Sequence, residues 1–206
     1  MTTLNANTMH EIMAILAEKR PEFCSEADFQ FALGWEIKEY FSGENANVEI
    51  RFECPALLDG KSYVEVDIVV KLNDELFLIE LKNPTKEGGR TTNNRCDMIK
   101  DIERLEKLQP CNLYVQTFAN SRTWKGFTIW LTDDEVYKNK TAEVHNCNIT
   151  DGAVVHSDYL YHSGKKEGMP IAKIVNNYTI KWEEYKNGDN DKPLWYALIT
   201  IPPKTQ

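Results

Sequence analysis

The segment SYVEVDIVVKLNDELFLIELKN, residues 62–83, constrains the fold more than any other part of the chain. Two apolar runs, each of strand length, flank Asn73-Asp74, and this pattern predicts a hairpin closed by a tight turn. Alternation puts Leu76 and Leu78 on the strand face that carries Glu80 and Lys82, and Phe77, Ile79 and Leu81 on the other. A strand that is apolar on both faces belongs inside a sheet. Asp67, Glu80 and Lys82 are therefore ionisable groups where burial is costly unless something compensates it. Pairing of the two strands would bring Asp67 close to Glu80. Two such carboxylates repel each other unless a cation lies between them.

Around this hairpin the sequence predicts a succession of elements. Thr8-x-x-Glu11 has capping-box form and opens a helix that stops before Pro21. Ser25-x-x-Asp28 opens a second helix, to about Phe41. VEIRFECP (48–55) reads as a first strand, Asp59-Gly60 as a turn, and residues 62–71 and 76–82 as the next two strands of an antiparallel meander. Residues 83–96, polar and Gly-rich, read as a mobile loop. Met98, Ile99, Ile102, Leu105 and Leu108 recur at helical spacing and predict a helix ended by Pro110. Residues 111–119 read as a strand parallel to an earlier one. Beyond residue 120, GFTIWLT, NNYTIKWEEY and PLWYALITI suggest further strands. No linker is evident, so one domain is expected, with a core at about 25–120 and a β-rich C-terminal elaboration at about 121–206.

The order helix, three-strand meander, helix, strand, with Asp67 on the second strand and Glu80-Leu81-Lys82 on the third, resembles the PD-(D/E)XK nuclease superfamily. Val66 stands where the name-giving pattern has proline. The resemblance implies an α/β fold with a restriction-endonuclease-like core and a mixed central sheet. It also implies hydrolysis of a phosphodiester bond in DNA. Asp67 and Glu80 would bind Mg²⁺ or Mn²⁺, whose preference for hard oxygen ligands suits two carboxylates. The Leu81 carbonyl would add a ligand, and Lys82 would orient the attacking water or stabilise developing charge. An acid on the first core helix completes the metal shell in many members, and Glu26 fits that place. Helical spacing puts Glu26 and Gln30 on the apolar side of that helix with Phe29, Leu33 and Ile37. Glu26 also follows a Ser N-cap, where the helix dipole alone favours an acid. Both readings stand for Glu26, and Gln30 is a supporting residue.

Composition bears on partners. The net charge is −8, unlike a general nucleic-acid binder. Residues 82–107 carry seven Lys or Arg against five Asp or Glu, a local excess of +2. Within it, Lys86, Arg90, Arg95 and Lys100 are candidates for phosphate contacts, and Gly88-Gly89 would let the loop close over a substrate. Asp97 and Asp101 share a helix face with Arg104 and read as surface pairs. The C-terminal aromatics Trp124, Trp130, Trp182, Trp195, Tyr159, Tyr161, Tyr178 and Tyr185 read as core. His145, His156 and His162 lack the short spacing of a metal triad. No apolar run approaches the ~20 residues that span a bilayer. MTTLNANTMHEI has no leader-like pattern, and five widely spaced cysteines form no zinc or disulfide framework, so a cytoplasmic protein is expected. DNA, with RNA as a second class, is the expected partner, and double-strand cleavage would need a homodimer. A non-catalytic nucleic-acid-binding or protein-interaction module on the same fold, in a defence or repair assembly, is the alternative.

Overall fold

The computed structural model describes residues 3–43, 46–58, 62–119, 121, 123–141, 147–157, 161–162, 170–186 and 193–205. The Asp59-Gly60 turn, His145, Tyr159 and the His162 side chain lie outside the described residues. The elements are α1 (Ala6–Lys19), α2 (Glu26–Ser42), β1 (Val48–Leu58), β2 (Ser62–Leu72), β3 (Glu75–Lys82), α3 (Thr91–Lys107), α4 (Gln116–Ala119) and β4 (Thr123–Thr132). There follow α5 (Val136–Asn139), β5 (Val154–Val155), β6 (Tyr161–His162), β7 (Pro170–Ala172), β8 (Tyr178–Thr179), β9 (Trp182–Lys186) and β10 (Leu194–Thr205). The fold is α/β, with a mixed six-stranded sheet in the order β1-β2-β3-β4-β10-β9 and two small two-stranded sheets, β5-β8 and β6-β7. The chain forms two compact units. The first comprises Met1–Leu81, Lys107–Phe127 and Thr200–Gln206, and the second Lys82–Glu106 and Thr128–Ile199. No helix among the described residues is long and apolar enough to cross a membrane.

In the first unit, α1 and α2 start where side-chain oxygens replace missing helical acceptors. Asn5 caps α1 by accepting from the Thr8 amide at 3.1 Å, so the cap lies three residues earlier than the expected Thr8, which is itself buried. Ser25 caps α2 as expected, accepting from Asp28 at 3.1 Å. Apolar residues at helical spacing (Met9, Ile12, Met13 and Leu16 on α1; Phe29, Leu33, Ile37 and Phe41 on α2) are buried. Each such side chain contributes roughly 1.5–3 kcal/mol when removed from water. Gly34 lies against β1, and a Cβ there would fall 2.4 Å from Phe52 Cε1.

The expected meander forms. β1 pairs antiparallel with β2 from Val48↔Leu72 to Leu58↔Ser62, and β2 pairs antiparallel with β3 from Leu72↔Glu75 to Ile68↔Ile79. The two-residue turn puts Asn73 at φ 55°, a left-handed conformation that asparagine tolerates. The expected strand at 111–119 does not form. Pro110–Asn112 is a 3₁₀ turn, Leu113 makes a single antiparallel bridge to Ala56, and residues 116–119 are helical. The Asn112 side chain accepts from the Gln109 amide at 2.8 Å, and this closes a turn where a strand would have to begin.

In the second unit, α3 begins at Thr91, so the last six residues of the expected 83–96 loop are helix. The remainder is tethered: Thr132 Oγ1 donates to the Pro84 carbonyl and the Lys86 amide donates to Asp133, both at 2.7 Å. Only residues 87–90 lie beyond these ties, with Gly89 and Arg90 at φ 63° and 60°. Trp130, Trp182 and Trp195 are buried here and Trp124 in the first unit, as are Tyr161, Tyr178 and Tyr185, all core as expected. β9 pairs antiparallel with β10, so the C-terminal strands extend the six-stranded sheet.

Candidate active site

The first unit holds Asp67, Glu80, Leu81, Gln30 and Glu26. Glu80 is 1% exposed, in a strand whose residues 76–81 are all buried. The β2–β3 ladder ends at Ile68↔Ile79, and its register continued by one step would set Asp67 opposite Glu80. There the Asp67 side chain takes the place of a backbone partner: its Oδ2 accepts the Leu81 amide at 2.6 Å. The other side of Asp67 is also irregular. The β1–β2 register runs from Phe52↔Ile68 to Cys54↔Val66 and steps over Glu53 and Asp67. Glu53 sits at φ 49°, and Gln30 fills the step. Its Nε2 donates to the Asp67 carbonyl and to Glu53 Oε1, each at 2.6 Å. Gln30 is thus buried and braces Asp67 from α2.

Glu26 is not on the buried side of α2. It is exposed, as the first residue of the helix, and the buried stripe starts one turn later at Phe29. A position before the first full turn extends beyond the packed surface, so the helix-dipole reading accounts for an acid there. Among the described residues, no group of three His, Cys, Asp or Glu side chains gathers in a metal-binding arrangement. What the first unit offers is two carboxylates, Asp67 and Glu80, and the Leu81 carbonyl. Glu53 was missed from the sequence. Its signal was faint, since a single glutamate in a strand that is half exposed carries no distinguishing pattern.

In the second unit, Lys82 ends β3 with its side chain 24% exposed. Its Nζ lies 3.5 Å from Asp101 Oδ2, and Arg104 Nη1 lies 3.6 Å from Asp101 Oδ1. The Asp101 side chain is 2% exposed, so it is not the surface pair that was expected. It was legible, because Met98, Asp101, Ile102 and Leu105 form one helical stripe, and an acid within an apolar stripe needs a partner.

The four expected phosphate contacts divide. Lys86 and Arg90 are exposed in the short loop. Lys100 pairs with Asp97 on its own helix at 2.9 Å. Arg95 is buried and structural, a correction to the expected role. Its Nη2 donates to the carbonyls of Val136 and Lys140, each at 2.5 Å, and its guanidinium stacks 5.7 Å from the Tyr137 ring centroid. Burial lowers its pKa from the usual arginine value. Glu106, also buried, accepts from the Val175 amide at 2.6 Å, the Asn176 amide and the Tyr178 hydroxyl at 2.8 Å, and Asn176 Nδ2 at 2.9 Å. Burial, then this contact with Glu106, raises the Tyr178 phenol far above its ordinary value.

Compared with protein-family models, with curated proteins and with solved structures, the chain has no match.

Proposed function

We propose that this chain is a divalent-metal-dependent nuclease of the PD-(D/E)XK kind that hydrolyses phosphodiester bonds in DNA. The reading is carried by Asp67 and Glu80, each one residue past the last pair of the β2–β3 ladder, with Glu80 buried in an otherwise apolar strand. Two carboxylates and a carbonyl are hard oxygen donors. Mg²⁺ commonly binds through one or two carboxylates and keeps waters and substrate phosphates in its other positions, so this donor set fits it. Asp67, Glu80 and the Leu81 carbonyl would hold the ion. When bound, it supplies polarisation of a phosphoryl oxygen and acidification of water.

The chain's own residues have separate tasks. Gln30 fixes the Asp67 backbone and the Leu81 amide fixes its carboxylate, so the ligand is oriented before metal arrives. Lys82 follows Glu80 by two residues in β3 and therefore shares its strand face. Its ammonium would stabilise charge on the phosphoryl group. Asp101 holds that ammonium, and Arg104 partly neutralises Asp101. Lys86 and Arg90 would meet backbone phosphates.

The test is incubation of purified protein with single- and double-stranded DNA and RNA in Mg²⁺ or Mn²⁺, with Mn²⁺ binding measured by calorimetry. Cleavage that is lost in Asp67→Ala and Glu80→Ala supports the reading. Mn²⁺ binding with no cleavage of any of these substrates removes the enzyme claim, and no Mn²⁺ binding removes the site. A second reading, a protein-interaction module on the same fold, is favoured by exposed Phe31 and Trp35, one turn apart on α2, together with the net charge of −8.

A further inference from the structure

The second unit contains a pair of reactive side chains that nuclease chemistry does not use. Cys96 lies in the second turn of α3 and Cys147 lies 51 residues further on, and their Sγ atoms are 2.7 Å apart. Both residues are buried. The stretch that carries Cys147 is anchored independently, since the Ile149 carbonyl accepts from the Trp182 indole at 2.8 Å. Two distant stretches thus present thiols to each other in a dry environment, at a separation approaching the ~2.04 Å of a disulfide. The remaining cysteines differ. Cys24 and Cys111 are exposed, and Cys54 is buried with its thiol pushed up by desolvation.

We propose that Cys96 and Cys147 are a reversible disulfide site, oxidised by a peroxide. The contact makes the two thiols unequal. The contact with Cys147, and after it Lys100 one turn along α3, hold the Cys96 thiol below its ordinary value against the effect of burial. The contact with Cys96 and then burial push Cys147 far above it. Cys96 is therefore the nucleophile. Its thiolate attacks one oxygen of hydrogen peroxide, the O–O bond breaks, and the released hydroxide takes up the thiol's proton as water. The Cys147 sulfur then attacks the sulfenic sulfur of Cys96. The S–S bond forms, the S–O bond breaks, and the second hydroxide leaves with the Cys147 proton as water. The sum is two thiols and one peroxide giving one disulfide and two waters. Burial selects a small oxidant, and a dithiol reverses the step. The bond ties α3, which carries Asp101 five residues beyond Cys96, to the segment at residues 147–149.

The full chain carrying Cys24→Ser and Cys111→Ser, which removes the exposed thiols, is treated with hydrogen peroxide. It is then alkylated in denaturant and digested without reductant. Mass spectrometry is expected to find a peptide pair joining Cys96 to Cys147, two hydrogens lighter than the separate peptides and released by dithiothreitol, with Cys54 recovered alkylated. The Tm should rise by about 5–10 °C on oxidation, and Cys96→Ser and Cys147→Ser should each abolish the rise. Recovery of both residues as thiols or as separate sulfinic acids, or linkage of either to Cys54, overturns the proposal. None of these outcomes depends on nuclease activity.

Discussion

The acids of α3 and the acids at the end of the β2–β3 ladder are set in their surroundings differently. On α3, Glu106 is surrounded by four donors and Asp101 by two cations, so each carboxylate is answered by groups of this chain. Past the end of the β2–β3 ladder, Asp67 accepts the Leu81 amide at 2.6 Å, and the register continued by one step would set it opposite the buried Glu80. A buried acid among donors is a joint, and its removal leaves those donors unsatisfied. In the proposed site a cation would lie between two acids that otherwise repel, and that is the physical content of the metal proposal.

The comparison can be broken most directly at Glu80. In a metal-dependent cleavage assay, Glu80→Gln and Asp67→Ala are each expected to lower the rate by about a thousandfold or more. In the absence of metal, Glu80→Gln should change stability by less than about 1 kcal/mol, because it relieves repulsion while keeping shape. Retained cleavage would show that the two acids are structural. On the other side of the comparison, Glu106→Ala should cost about 3 kcal/mol in urea unfolding, since it strips the acceptor from four donors. A cost below about 1 kcal/mol would remove the distinction drawn here.

Between these extremes stands Asp101, which has both a packing and a positioning place. Asp101→Asn should reduce kcat about 10–100-fold while Mn²⁺ affinity by calorimetry stays unchanged. A parallel loss of Mn²⁺ affinity would assign it to the metal site. The smallest effect is expected at high pH. Burial, helped by the Glu183 carboxylate, pushes the Tyr196 phenol up to about 12. The folded state therefore holds this proton more tightly than the unfolded chain. The contribution is complete below the ordinary tyrosine value near pH 10 and is lost as pH rises toward about 12. Tm measured across that range should fall less steeply in Tyr196→Phe than in the parent.

Much of the β2–β3 site was legible because strand periodicity is strict. Two residues per repeat put Glu80 and Lys82 on one face, and Asn73-Asp74 closed the hairpin. The helix of 91–107 was only half visible, because Thr91–Asn94 carry no apolar residue and the stripe starts at Cys96. Arg95 read as a surface cation because sequence does not reveal two carbonyls waiting across the fold. Asp101 read as surface when its charge was weighed ahead of its position in the stripe. Leu113 and Val115 alternate as a strand would, but the turn at Gln109–Asn112 had already fixed the backbone direction. Glu26 shows the limit of a helical wheel, which gives direction around an axis but not whether packed neighbours extend that far along it.

Gly34 has a bearing on the site that its missing side chain conceals. It lies one turn after Gln30 on the same side of α2, against the Phe52 ring. Phe52 is also met edge-on by Phe31 at 4.7 Å, so a shift of the ring would disturb that contact as well. A methyl group at position 34 would act as a shim under the helix. It would lift Gln30 away from the Asp67 carbonyl and release the brace at a distance, without touching an acid. The fineness with which Asp67 is aimed is therefore set by the thinnest residue in the helix.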